Sequence, residues 1–166
     1  MLHLAIALLL SLALARPVGD VLAGSLGRSS DPRHLIVLLD GSTSMRSSGS
    51  EPGRSRFEEA RATASERIDA LRPGDAATLV LFGSRTITRA ASDAGAVDQL
   101  ARDVAEMPSP GGEADLTAAL ILASDLRVPG ATNALILLSD GALAADPAVV
   151  ASLGMAIEDL RFGAAN

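Results

Sequence analysis

The feature that most constrains the fold of this chain is a set of three largely apolar runs. They occupy residues 35–39, 77–82 and 134–138. Runs that do not alternate with polar residues are typical of strands covered on both faces, as in a parallel sheet. Segments with helical periodicity lie between the runs. The sequence therefore predicts a doubly wound, mostly parallel α/β sheet with helices on both faces.

Four helices are predicted between and after these runs. The first begins at the capping box Ser55-x-x-Glu58, in which each side chain accepts a hydrogen bond from the backbone of the other. The last begins at Asp146-Pro147, an N-cap followed by a first-turn proline. The remaining elements are predicted from periodicity: helices at 97–107 and 116–126, a short edge strand at 86–88 and a weaker strand at 156–162.

The first and third runs are followed by aspartates, Asp40 and Asp140. Right-handed crossovers place the carboxyl ends of parallel strands at one edge of the sheet, where open α/β folds bind ligands. The loop after Asp40 adds alternate hydroxyls on Ser42 and Ser44, which can converge where the strand opens into the loop. Carboxylates and hydroxyls without nitrogen or sulfur suit Mg²⁺, Mn²⁺ or Ca²⁺. The sequence therefore predicts a site for a hard cation at this edge.

Composition excludes most familiar catalytic groups. The chain has no cysteine, and all 14 of its basic residues are arginine. Thiol nucleophiles, thiolate zinc sites, Schiff bases and P-loop lysines are therefore excluded. His3 and His34 are the two imidazoles, and His34 is expected simply to open the first strand. A net charge of −6 without a basic patch argues against nucleic acid as the main partner.

The chain resembles a von Willebrand factor A (VWA) domain over about residues 34–163. Asp40-x-Ser42-x-Ser44 matches the metal-ion-dependent adhesion site of that family, and Asp140 matches the aspartate of its fourth strand. The resemblance implies that the two serines ligate the metal directly and that Asp40 does so directly or through water. It implies that Asp140 acts through water or by accepting hydrogen bonds. The implied ion is Mg²⁺, with Mn²⁺ or Ca²⁺ as alternatives.

One ligand of the family pattern is missing. The family has a metal-binding threonine in the middle loop, just before the helix that here begins near Leu116, and this chain has Ala114 at that position. Thr117 follows three residues later, one helical turn too far to replace it. Glu113 or Asp115 could offer a carboxylate to the metal instead and make the site more anionic. The alternatives are that Glu113 is solvated and that Asp115 caps the helix.

The amino-terminal residues are predicted to lie outside the domain. Residues 2–15 are almost wholly apolar and suit part of a transmembrane helix, a signal peptide that ends in Ala13-Leu14-Ala15, or a buried helix. We therefore divide the chain into a hydrophobic segment at 1–15, a tether at 16–32 and a VWA domain at 33–166. The family pattern continues with a further helix and strand. We accordingly expect the chain to be a fragment, truncated at both ends.

The phrases Leu81-Phe82-Gly83-Ser84 and Gly112-Glu113-Ala114-Asp115-Leu116, with the apolar amino end, resemble the membrane-anchored bacterial VWA proteins of the aerotolerance-operon (Bat) type. The resemblance implies a location at the bacterial cell membrane, on either side, or secretion if the amino end is cleaved. It implies a metal-dependent protein-interaction module, not an enzyme, that binds an acidic side chain of a partner protein. A MoxR-type AAA+ ATPase system is the partner it suggests. The alternatives are a VWA scaffold with a degenerate metal site and a Mg²⁺-dependent hydrolase that uses Asp40.

Overall fold

Strands and helices alternate along residues 31–163, which are the residues that the computed structural model describes. In chain order they are β1 (Arg33–Asp40), α1 (Arg56–Asp69), β2 (Ala76–Phe82), β3 (Ile87–Ala91), α2 (Ala94–Glu106), α3 (Leu116–Asp125), β4 (Thr132–Ser139), α4 (Pro147–Ser152) and β5 (Ala156–Arg161). A short 3-10 helix, Thr43–Arg46, lies in the loop after β1. The three apolar runs form β1, β2 and β4, as predicted.

β1 lies at the centre of a five-stranded sheet with the order β3-β2-β1-β4-β5. It pairs in parallel with β2 on one side and with β4 on the other, and β4 pairs in parallel with β5. The edge strand β3 runs antiparallel to β2. Leu39 lies opposite Leu138 of β4, so Asp40 and Asp140 follow neighbouring strands at the same edge of the sheet. The predicted mostly parallel sheet is confirmed.

Helices cover the sheet on both faces because side chains alternate in direction along each buried strand. Val37 and Leu39 of β1 belong to a hydrophobic core that includes residues of α1 and α2. Ile36 and Leu38 belong to a second core, which includes residues of α3. All four side chains are completely buried. The doubly wound architecture predicted from the sequence is therefore confirmed.

His34 lies near the start of β1, at the opposite end of this strand from Asp40. It belongs to a buried polar network. Its Nε2 lies 2.9 Å from the hydroxyl of Thr78, and its Nδ1 lies 3.1 Å from Oδ1 of Asn133. Asn133 uses its amide nitrogen to donate to the carbonyl oxygen of Val128, so its oxygen faces the imidazole. Both ring nitrogens are thus engaged within the fold, which agrees with the structural role expected for His34.

The differences from the sequence prediction lie at the ends of elements and in the first loop. β3 extends to Ala91, beyond the predicted 86–88, because each of its five residues pairs with β2. α1 ends at Asp69, and Leu71 packs against the core from the segment after the helix. The loop of residues 41–54 contains a 3-10 helix that the sequence pattern did not indicate.

Residues 31–163 contain no helix that is both long enough and apolar enough to cross a membrane. The apolar segment predicted at 2–15 lies outside the described residues. So do His3, nearly all of the tether predicted at 16–32, and residues 164–166 of the predicted domain.

The capping box at the start of α1 gives a test of this helix. The hydroxyl of Ser55 accepts a hydrogen bond from the N–H of Glu58 at 3.2 Å, and the Glu58 carboxylate accepts one from the N–H of Ser55 at 2.7 Å. Ser55→Ala is expected to lower the free energy of unfolding by about 1 kcal/mol, because a first-turn N–H loses its partner. Urea denaturation measures the change. Ser92→Ala, at an exposed loop position, is the control, and an equal loss in both variants would contradict the capping role.

Candidate metal site

The loop after β1 brings two serine hydroxyls next to a buried carboxylate. Asp40 is fully buried, and its Oδ1 accepts a hydrogen bond from the N–H of Ser42 at 2.8 Å. The 3-10 helix begins directly after Ser42, and the tight turn leaves the hydroxyl oxygens of Ser42 and Ser44 3.0 Å apart. The hydroxyls therefore converge, as expected from their alternate positions.

The second oxygen of the Asp40 carboxylate, Oδ2, is buried without a hydrogen-bond partner among the described residues. Burial raises the pKa of this carboxyl above its ordinary value of 3.8, hydrogen bonds from Ser42 oppose the rise, and the charge of Asp140 adds to it. A buried carboxylate oxygen without a partner is energetically unfavourable. A cation next to Oδ2 would remove much of this penalty.

Asp140 follows β4 and is held by two hydrogen bonds. Its Oδ2 accepts one from Nη1 of Arg56 at 3.2 Å, and its Oδ1 accepts one from the N–H of Ala142 at 3.0 Å. Only 2% of the Asp140 side chain is exposed. Arg56 is the first residue of α1, 84 positions from Asp140. Sequence reasoning missed it because no motif or spacing links residues so far apart.

The middle loop, residues 107–115 between α2 and α3, packs closely on the end of β1. The hydroxyl of Ser109 donates a hydrogen bond to the carbonyl oxygen of Gly41 at 3.0 Å. An added Cβ at Gly41 would lie 2.5 Å from Cδ of Pro110, which leaves no room for a side chain. The glycine after Asp40 is therefore required by the close approach of the middle loop.

The middle loop is also joined to the loop after β1 through Gly112. The N–H of Thr43 donates to the carbonyl oxygen of Gly112 at 2.9 Å, and the N–H of Gly112 donates to the Thr43 hydroxyl at 2.9 Å. Gly112 has a φ of 78°, in the left-handed region that favours glycine. No sequence pattern indicated this role for Thr43, which stands between the two serines and bonds to the middle loop.

The other middle-loop candidates have different surroundings. Ala114 packs against the core covered by α3, and Glu113 is exposed. Asp115 is the N-cap of α3, and its Oδ1 accepts a hydrogen bond from a first-turn N–H at 2.9 Å, so the capping alternative is confirmed. Thr117 accepts a hydrogen bond from the N–H of Asp146 at 3.1 Å, which engages its hydroxyl with the start of α4. A metal-binding role for Glu113 or Asp115 stays a prediction.

The donor set fits a hard cation bound through hydroxyls as well as carboxylates. Within residues 31–163, no three Asp, Glu or His side chains cluster into a group that could hold a metal. A site here therefore needs the hydroxyls of Ser42 and Ser44 in addition to Oδ2 of Asp40. Such oxygen ligands suit Mg²⁺, Mn²⁺ and Ca²⁺. The metal-binding roles of these residues and of Asp140 stay a prediction.

The fold and this edge of the sheet define a class of protein: a doubly wound α/β domain with an oxygen-rich cluster where its central strands end. The sequence model of the von Willebrand factor type A domain matches residues 35–142. The chain belongs to this family, as the sequence resemblance predicted.

Solved structures show the same fold at low sequence identity. An aerotolerance-related membrane protein from Bacteroides fragilis is 20% identical, with a TM-score of 0.62, over 79% of this chain and 68% of that chain. BatB from Bacteroides thetaiotaomicron is 21% identical, with a TM-score of 0.65, over 78% of this chain and 66% of that chain. Manganese-loaded TRAP protein from Plasmodium vivax is 19% identical, with a TM-score of 0.60, over 80% and 58%. No curated protein matches the chain.

These similarities bear on the fold alone. The chain spans about two thirds of the length of the two Bacteroides chains. The similarities do not give the activity or the partners of a whole protein of this type.

The raised pKa of Asp40 predicts a pH dependence of stability in the metal-free protein. A carboxyl whose pKa is higher in the folded state contributes stability fully below its unfolded pKa, and the contribution is lost as the pH rises through the folded pKa. Asp40→Asn keeps an acceptor for the N–H of Ser42 but cannot ionise. In EDTA, the variant is expected to gain stability relative to the parent as the pH rises from about 4 to about 7. Urea denaturation across this range measures the difference.

The control is Asp98→Asn, which changes an exposed position on α2. It should show no comparable trend with pH. A difference between Asp40→Asn and the parent that stays constant across the range would contradict the cost assigned to the buried Asp40 carboxylate.

Proposed function

We propose that this chain is a protein-interaction module that binds a divalent metal through Asp40, Ser42, Ser44 and Asp140. The bound metal in turn binds an acidic side chain of a partner protein. Mg²⁺ is the proposed ion, with Mn²⁺ or Ca²⁺ as alternatives. The observation that carries the proposal is the buried Oδ2 of Asp40, which has no partner in the described residues and follows a strand beside two paired hydroxyls.

Asp40, Ser42 and Ser44 are the proposed direct ligands, with Asp40 bound either directly or through water. Asp40 supplies the negative charge, and the serines supply neutral oxygens. A metal bound there supplies a positive centre with an open coordination position. A carboxylate from a partner protein suits that position. One carboxylate and two neutral hydroxyls from this chain leave part of the cation's charge uncompensated, and a second carboxylate would compensate it. The Plasmodium vivax TRAP neighbour is described as manganese-loaded, which supports a divalent ion.

Asp140 and the middle loop complete the proposed site. Asp140 is proposed to act through water or by accepting hydrogen bonds, in the orientation that its present hydrogen bonds give it. Glu113 and Asp115 offer carboxylates on either side of Ala114, where the family pattern has a hydroxyl. Hydrogen bonds join the middle loop to the loop after β1. A metal bound to one loop would therefore affect the position of the other loop.

The setting of the domain is proposed from its resemblance to Bat-type proteins. Residues 33–166 are the VWA domain, residues 16–32 the tether, and residues 1–15 a membrane or signal segment. The Bacteroides fragilis neighbour is described as an aerotolerance-related membrane protein, which supports a location at a bacterial membrane. A MoxR-type AAA+ ATPase system is the proposed partner.

Two other functions have different support. A VWA scaffold with a degenerate metal site is favoured by one observation, Ala114 at the position of the missing threonine. A Mg²⁺-dependent hydrolase with Asp40 as its nucleophile is disfavoured, because the complete burial of this carboxylate gives a substrate no direct access to it. Metal binding separates the interaction module from the scaffold.

Melting temperatures in EDTA and in millimolar Mg²⁺ or Mn²⁺ test the proposed site. Ligand linkage predicts a stabilisation of about 2.7 kcal/mol at about a hundred times the dissociation constant, a shift of several degrees. Asp40→Ala is expected to abolish the shift, whereas Asp98→Ala, at an exposed position, should retain it. No shift in the parent at any metal concentration would favour the scaffold.

Ala114→Thr tests whether the missing family ligand limits metal affinity. The added hydroxyl is expected to enlarge the metal-dependent rise in melting temperature, because it returns an oxygen ligand to the middle loop. Ala118→Thr makes the same substitution at an exposed position of α3 and is the control. Equal metal-dependent shifts in the two variants would mean that position 114 does not face the metal.

A further inference from the structure

Arg56 brings a positive charge to the edge of the proposed metal site. Its Nη1 donates a hydrogen bond to Oδ2 of Asp140 at 3.2 Å. The ion pair is largely shielded from solvent, since 27% of the Arg56 side chain and 2% of the Asp140 side chain are exposed. Asp140 also repels the charge of Asp40. The two carboxylates and the guanidinium therefore influence one another.

The Arg56 guanidinium is weakly held for a shielded ion pair. Its Nε is buried without a hydrogen-bond partner in the part of the chain that the structure describes. Arg67, on the same helix, instead donates to both carboxylate oxygens of Glu158, at 2.6 and 3.3 Å. Bidentate pairs of that kind are the stronger ones. The 3.2 Å contact of Arg56 with Asp140 is longer than a typical charge-assisted hydrogen bond.

Arg56 also packs against the segment that follows β5. An added Cβ at Gly163 would lie 3.4 Å from Cζ of Arg56, so the guanidinium lies against a residue without a side chain. The Arg56 side chain as a whole keeps 27% of its surface exposed, so water screens part of its charge.

We infer that Arg56 compensates the charge of Asp140 in the metal-free domain and thereby weakens metal binding at the adjacent site. This inference rests on the proposed function. Asp40 and Asp140 together carry two negative charges when ionised, and Arg56 reduces the sum to one. A divalent cation is attracted less by the smaller net charge and is repelled by the guanidinium. Arg56 thus stabilises the domain without metal and raises the metal concentration that is needed to fill the site.

A positioning role for Arg56 makes the opposite prediction. If Arg56 served mainly to orient Asp140 toward the metal, its removal would disorder a ligand and weaken binding. If it acts mainly through its charge, its removal strengthens binding. The sign of the change in affinity therefore distinguishes the two roles.

The experiment is a calorimetric titration of Mn²⁺ into the parent chain, Arg56→Gln and Arg67→Gln. The Arg67 variant removes the same charge from an exposed ion pair on the same helix. Arg56→Gln is expected to lower the Kd for Mn²⁺ about tenfold, and Arg67→Gln to change it by less than about twofold. In EDTA, Arg56→Gln should have the lower melting temperature, because the shielded Asp140 carboxylate loses its charged partner.

The outcomes separate this inference from the proposed function. If the parent binds Mn²⁺ and Arg56→Gln binds it equally or more weakly, the inference is overturned and the metal site stands. If none of the three proteins binds Mn²⁺, the proposed metal site itself fails, and the inference fails with it.

A second pair of variants avoids an unpaired buried charge, which could prevent Arg56→Gln from folding. Asp140→Asn is compared with the double variant Asp140→Asn/Arg56→Gln. Both variants lack the Asp140 carboxylate. If Arg56 acted only by orienting that carboxylate, its removal would then have no effect on metal binding. We expect the double variant to bind Mn²⁺ more tightly than the single one. Equal affinities in this pair would overturn the inference.

Discussion

The burial of one carboxylate at the end of the central strand is the constraint on which the site depends. Asp40 ends β1, which is enclosed by parallel neighbours on both sides, and its side chain has no exposed surface. A buried charge must be balanced by hydrogen bonds or by opposite charge. The N–H of Ser42 satisfies one oxygen of Asp40, and the other oxygen has no partner in the described residues. The features around Asp40 are best understood as responses to this imbalance.

Three segments of the chain meet around Asp40. The loop after β1 supplies the serine hydroxyls, the middle loop covers Gly41, and the start of α1 supplies the guanidinium that pairs with Asp140. The reciprocal hydrogen bonds between Thr43 and Gly112 join the first two segments. The candidate site is therefore a junction of three separate segments of the chain.

This chain belongs to the VWA family but carries its own electrostatic arrangement. The middle loop has Ala114, which lacks a hydroxyl. One carboxylate oxygen of Asp115 accepts a hydrogen bond from the first turn of α3. Arg56 provides an internal positive charge beside the second aspartate. Fewer oxygen ligands and a nearby guanidinium both reduce the attraction for a divalent cation. These two features are the reason that we propose a weak metal site and not a tight one.

The sequence by itself determined the architecture and the residues of the first loop. Largely apolar runs specify strands buried on both faces, the caps at Ser55, Asp115 and Asp146 specify helix starts, and alternate serines after Asp40 specify converging hydroxyls. These are local properties, since each depends on residues a few positions apart. The ends of β3 were less predictable, because pairing with β2 sets them.

Only the tertiary structure decided which distant residues complete the site. The pairing of Arg56 with Asp140 and that of Thr43 with Gly112 join residues separated by 84 and 69 positions. Whether a described residue bonds to Asp40 Oδ2 depends on the segments that pack around it, and none of residues 31–163 does so. Local periodicity carries no information about such contacts, because they arise when the crossovers of the sheet bring separate loops to one edge.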